Sequence, residues 1–98
     1  MVKRATILLP LLLFVAAFAA YADVPSTEAI RRASHEATRR GYDLSLYLSP
    51  RVQFRRADDT WEIYYTRKPD KRGLVPVDAD FLIYIHRHTG EVRFSPGH

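Results

Sequence analysis

No cysteine occurs anywhere in the 98 residues. Small exported chains usually staple themselves with disulfides and structural zinc sites usually recruit thiolates, so both routes are closed, as is a lipid attached through cysteine. Glycine occurs only four times, and never in the spacing of a loop that cradles phosphate. There is also no nucleophile-elbow pattern and no metalloprotease helix motif. The serines and histidines follow no order that points to a catalytic triad. An enzyme is therefore not expected, and neither is a cofactor.

Charge of one sign is also in short supply. Lys and Arg number 15 against 11 Asp and Glu, giving +4. Lys3 and Arg4 lie in the N-terminal leader described next, so the rest carries 13 basic and 11 acidic residues. A nucleic-acid binder shows a larger and more localised excess, so no nucleic-acid partner is expected.

One long apolar run is present, at the N-terminus. Lys3 and Arg4 precede an uncharged stretch from Ala5 to Ala20 containing Ile7, Leu8, Leu9, Leu11, Leu12, Leu13, Phe14 and Val15. Ala20-Tyr21-Ala22 then fits the small-x-small rule for cleavage before Asp23, and Ala17-Phe18-Ala19 fits it as well. The pattern predicts a signal peptide over 1–22, export to the periplasm or beyond, and a single small domain over 23–98. The alternative is an uncleaved anchor built on Ala5 to Ala22, the one way in which the chain would engage a membrane. Both readings leave the domain outside the cytoplasmic membrane, with the positive flank inside.

The mature part divides by period. Ala29, Ile30, Ala33, Ala37 and Gly41 recur at helical spacing behind Pro25-Ser26, with Ser26 as the expected N-cap and Gly41 as the left-handed stop. Glu28 with Arg32 and Glu36 with Arg40 are spaced as i,i+4 pairs. From Tyr42 to Leu48, apolar and polar residues alternate as in a strand or an extended connection. Val52 and Phe54 alternate with Arg51, Gln53 and Arg55. Trp61, Ile63 and Tyr65 alternate with Glu62, Tyr64 and Thr66, so these two runs read as a hairpin. A charged loop follows from Arg67 to Gly73. Phe81, Ile83 and Ile85 then alternate with Leu82, Tyr84 and His86, and Thr89-Gly90 turns the chain into a last short strand. The expected fold is α+β: one N-terminal helix packed on a curled antiparallel sheet of three to four strands.

One helix covers one sheet face. Trp61, Ile63, Tyr65, Phe81, Ile83 and Ile85 are the natural core, with Trp61 its largest expected contributor. The opposite face then carries Glu62, Tyr64, Leu82, Tyr84 and His86. Aromatic and apolar side chains mixed with charge have the composition of a contact surface, so Tyr64, Leu82, Tyr84 and His86 are the candidate binding residues. The loop from 68 to 78 could instead cover them. His86 and His88, at i,i+2, supply at most two of the three or four ligands that zinc needs, so a metal site is not expected. Arg31, Arg32, Arg39 and Arg40 could meet an anionic envelope polymer or a lipid headgroup, but their interleaving with Glu28 and Glu36 equally describes a solvated face.

Three segments taken together, Thr27-Glu28-Ala29-Ile30-Arg31-Arg32-Ala33, Thr60-Trp61-Glu62-Ile63-Tyr64-Tyr65, and Phe81-Leu82-Ile83-Tyr84-Ile85 with Thr89-Gly90-Glu91-Val92, resemble the PepSY-like exported domains. His86 stands where that family usually has aspartate. Cystatin-like and nuclear-transport-factor-like immunity domains share the order of a helix followed by a meander. The resemblance implies a non-enzymatic binding or regulatory module that restrains a peptidase or another envelope protein, with a protein or peptide as partner. An immunity-type inhibitor and a histidine-based metal binder are the alternatives.

Cleavage before Asp23 predicts an intact mass that starts at that residue for protein recovered from the envelope. A species that retains Met1 and leaves the membrane only with detergent would establish the anchor instead.

Overall fold

The computed structural model describes residues 23–97; the expected signal peptide lies outside the described residues. Within them a stripe of small side chains decides how helix and sheet meet. Helix α1 (Ser26–Arg39) buries Ala29, Ala33 and Ala37 completely, and methyl groups at this spacing let its backbone lie close on the sheet. Pro25, not Ser26, occupies the N-cap, with φ −74° and ψ 164° and no side-chain cap. Its carbonyl accepts the Ala29 N–H at 2.9 Å. The locked φ of proline already supplies the extended N-cap geometry, and this displaces Ser26 into the first helical turn.

The other end of α1 stops as the glycine predicted. Gly41 has φ +95°, its N–H reaches the Thr38 carbonyl at 3.0 Å, and the Tyr42 N–H reaches the Ala37 carbonyl at 3.1 Å. These are the two hydrogen bonds of a Schellman stop. The turn delivers Tyr42 onto Phe81, with ring centroids 4.1 Å apart.

Four strands follow, β1 (Arg51–Arg55), β2 (Thr60–Tyr65), β3 (Phe81–His86) and β4 (Val92–Pro96), in an antiparallel sheet of order β1-β2-β3-β4. The sheet is open, not closed on itself. The fold class is thus α+β with four strands. Helix α1 packs on β2 and β3, where Ile63, Tyr65, Ile83 and Ile85 are fully buried. The Tyr65 hydroxyl shares a hydrogen bond with Ser34 Oγ at 2.8 Å, tying helix to sheet, and burial raises its pKa above the ordinary phenol value. The outer strands overhang the helix, leaving Val52 37% and Val92 38% exposed.

Two further expectations need correction. The stretch Tyr42–Leu48 is not a strand: Leu44–Leu46 form a single 3-10 turn, and only Tyr47 makes a β-bridge, to Arg67. Asp43 is the cause, because its carboxylate accepts the Ser45 N–H at 3.1 Å and the Ser45 hydroxyl at 2.7 Å. A short acidic side chain that bonds its own backbone in this way competes with strand formation. Tyr42 and Leu44 keep the expected order, half-buried against the core, but it inverts from Leu46 on, where Leu46 and Leu48 are exposed and Tyr47 is buried. Its ring packs edge-on against Phe81, and its hydroxyl donates to the Ala79 carbonyl at 2.8 Å.

The second correction concerns Trp61, which is half-buried at the end of the sheet and is not the centre of the core. It leans on Phe54, with centroids 4.9 Å apart, and its indole N–H donates to the Val24 carbonyl at 2.9 Å. The tryptophan therefore pins the chain entering α1. Truncating Ile83 to alanine should cost about 2–5 kcal/mol in urea titrations. Trp61→Phe, which mainly gives up the hydrogen bond to Val24, should cost about 1 kcal/mol, and Arg39→Ala less than about 0.5 kcal/mol. A Trp61→Phe more damaging than Ile83→Ala would put the tryptophan back at the centre.

Candidate functional site

On the face away from α1, antiparallel pairing lines up alternate residues of the strands into rows. One row runs Arg51, Tyr64, Leu82, Ser95, and the next runs Gln53, Glu62, Tyr84, Arg93. A third holds Arg55, Thr60 and His86. Because side chains alternate across a strand, every one of these points opposite to the core residues beside it.

Tyr64, Leu82 and Tyr84 are half-buried and adjoin one another. With Arg51 at one end and Ser95, Pro96 and Gly97 at the other, they line a groove of about 340 Å³ that the core residues Tyr65 and Phe81 also border. Thr66 and Asp80 form its rim, and none of residues 68–78 lines it, so the loop does not serve as its cover. The carboxylate of Asp80 accepts the Arg67 N–H at 2.8 Å. Gly97 closes tightly on the same segment, since a Cβ there would overlap the Asp80 carbonyl.

The charges of this face fall into two kinds. The guanidinium of Arg55 lies 5.2 Å from the Tyr84 ring centre and bridges to Asp58 at 2.6 Å and Glu62 at 3.2 Å. Glu62 is only 8% exposed, and a buried carboxylate needs such a partner. Hydrogen bonding to Asp58 raises the Arg55 pKa further, and the same bond lowers that of Asp58. Arg51, by contrast, stacks 5.5 Å from the Tyr64 ring centre without an ion-pair partner among the described residues.

His86 lies outside the groove, where β3 ends. Its Nδ1 accepts the N–H groups of His88 at 3.1 Å and Thr89 at 3.2 Å, so the ring caps the turn between β3 and β4. His88 faces a cluster that sequence spacing could not suggest. Its Nδ1 lies 2.7 Å from Asp23, its Nε2 lies 3.5 Å from Asp59, and Arg87 joins Asp59 at 2.8 Å. Among the described residues no group of three or more His, Asp or Glu is arranged to hold a metal ion.

The helix arginines are already occupied. Glu28 receives Arg31 and Arg32, and Glu36 receives Arg39 and Arg40, at 2.6–2.9 Å. Hydrogen bonds from these guanidinium groups, led by Arg31 and Arg39, hold both carboxyls down at about 2. Alternation along β2 and β3 finds Tyr64, Leu82 and Tyr84 but misses Arg51, Arg93 and Ser95 beside them. The alternation of Arg51, Gln53 and Arg55 with Val52 and Phe54 is the signal that the sequence offers; the register that sets Arg51 against Tyr64 is not in it. No family model, curated protein or solved structure gives a significant match to the chain.

If His86 caps the turn, His86→Ala should speed hydrogen exchange of the His88 and Thr89 amides by roughly fivefold, the worth of about one hydrogen bond. His86→Asn, which offers an oxygen at similar reach, should restore part of the protection. Unchanged exchange in the alanine variant would remove the capping role.

Proposed function

We propose that this chain is an exported, non-enzymatic binding module that holds a protein or peptide partner against the uncovered face of its sheet, with Tyr64, Leu82 and Tyr84 as the contact strip and His86 at its margin. The observation that carries this reading is that strip itself, half-exposed and grooved, on the face that the core does not use. Tyrosine and arginine in a concavity are the make-up of an interface centre, where lysine and glutamate are depleted. Each tyrosine offers a rigid apolar body with a polar tip, so it binds at low cost in side-chain entropy.

Export is supported by the Lys3-Arg4 flank, the apolar run and the Ala20-Tyr21-Ala22 site. The non-enzymatic reading rests on the sequence, which carries no nucleophile-elbow, phosphate-loop or metalloprotease pattern. The resemblance to PepSY-like domains adds the partner class, a peptidase or another envelope protein that the module restrains.

A photo-crosslinking residue placed at Leu82 should give a discrete adduct in the envelope of the producing cell. The same probe at His35, on α1, should not. Tyr84→Ala should reduce the Leu82 adduct several-fold while the circular dichroism stays native. Equal adducts from both positions, or none from Leu82, would overturn the assignment. Unfolding of Tyr84→Ala would mean that the tyrosine belongs to the core.

A further inference from the structure

We infer that the ligand of the uncovered face is an extended acidic peptide segment, laid across the strands, with carboxylates at positions i and i+4 and an apolar side chain at i+2. This rests on the reading of that face as the binding surface. The argument starts from the two arginines that frame the contact strip. Arg51 stands on the β1 edge opposite Tyr64, and Arg93 stands on the β4 edge opposite Tyr84. Both are exposed, and neither has an ion-pair partner among the described residues. Arg31, Arg32, Arg39, Arg40, Arg55 and Arg87 all have carboxylate partners. The free cations of the sheet face therefore bracket its apolar strip.

Spacing fixes the ligand's length. Four strands about 4.8 Å apart put the two edges roughly 14 Å from each other, and the one-row offset between Arg51 and Arg93 adds about 7 Å along the strands, a diagonal of roughly 16 Å whose last few ångströms the long arginine and glutamate arms close. In an extended peptide, residues i, i+2 and i+4 project to one side, and i to i+4 spans about 13 Å. Such a segment sets one carboxylate on each guanidinium, where planar bidentate bonding is available, and its middle side chain on Leu82 between the two tyrosines. Of the acidic groups nearby, Glu91, two residues before Arg93, is exposed and makes no ion pair with it, and the other two are engaged. Glu62 is buried and held by Arg55. Asp80 sits at the rim, beyond the Arg51 row, with an oxygen on the Arg67 N–H.

The test uses blocked synthetic peptides with the core Glu-Ser-Leu-Ser-Glu and its twin Gln-Ser-Leu-Ser-Gln, titrated into the purified exported protein labelled with nitrogen-15. The acidic peptide should move the amide signals of Tyr64, Leu82 and Tyr84, and the glutamine twin should bind roughly three- to tenfold more weakly, as expected of two rim ion pairs. Arg51→Gln combined with Arg93→Gln should erase that difference, as should ionic strength near 1 M. Both substitutions are on exposed edge positions, and native chemical-shift dispersion checks the fold. Equal affinity for the two peptides would overturn the acidic ligand and leave the face assignment standing. Absence of peptide binding alongside a persistent Leu82 crosslink would do the same. Sedimentation with phosphatidylglycerol vesicles that depends on the arginine pair, without peptide binding, would replace the peptide by a lipid surface. Concentration-dependent dimerisation that both arginine substitutions abolish would replace it by a second copy. Loss of both crosslink and peptide binding would bring down the face assignment itself.

Discussion

Everything in this domain follows from the fact that one helix has to close one face of a four-stranded sheet. An α-helix with its side chains is about 10 Å across, the width of roughly two strands. Helix α1 accordingly sits over β2 and β3, and its alanine stripe brings it close enough to bury Ile63 and Ile83 completely. Larger residues at 29, 33 and 37 would lift the helix and uncover that pair. The same geometry leaves Val52 and Val92 overhanging. The reverse face has no helix over it among the described residues, because α1 is the only long helix they contain and the core claims it.

Charge is distributed in keeping with that division. On the helix, each glutamate gathers two arginines, and the resulting forks keep Glu28 and Glu36 ionised down to about pH 2. Their folded-state pKa values lie below the ordinary carboxylate value of 4.5, so what stability they contribute is present above that pH and drains away as the pH falls towards 2. Being exposed, the forks are strongly screened and secure local geometry more than global stability. On the sheet, Arg55 is spent on Asp58 and Glu62, whereas Arg51 rests on an aromatic ring and keeps its charge available. Two arginines of one strand therefore differ in what they can do, because of the carboxylates that the fold sets beside Arg55.

The parts of this arrangement legible in the sequence are those written in a simple period. The alanine stripe ending at Gly41 has the 3.6 period of a helix, and β2 and β3 alternate cleanly enough that their two faces can be assigned from the order of residues alone. That alternation places Tyr64, Leu82 and Tyr84 together. Three features stay hidden because local chemistry or distant pairing overrides period. Asp43 folds its side chain onto Ser45 and turns an alternating stretch into a 3-10 turn. Pro25 takes the cap position that Ser26 suits chemically. Trp61 is on the core face as its spacing indicates, yet it stands at a strand end, where the chain before α1 meets its indole. The row that joins Arg51 to Tyr64, Leu82 and Ser95 depends on strand register, which no single strand's sequence contains.

Where the chain enters the domain bears on how the groove is presented. Val24 is buried, its N–H bonds the Arg87 carbonyl at 2.8 Å, and its own carbonyl takes the Trp61 indole. Asp23 adds a contact to His88. The first described residues are therefore pinned at the end of the sheet where β2 starts and β3 finishes. The groove lies at the other end, where Tyr64 and Tyr65 lead into Thr66 and where Asp80 leads into Phe81. Trp61 and Tyr65 stand at opposite ends of β2, a rise of roughly 13 Å. The same contacts hold the first described residues clear of the strip of Tyr64, Leu82 and Tyr84. That segment cannot fold back into the groove without first giving up the hydrogen bonds of Val24 to Trp61 and Arg87.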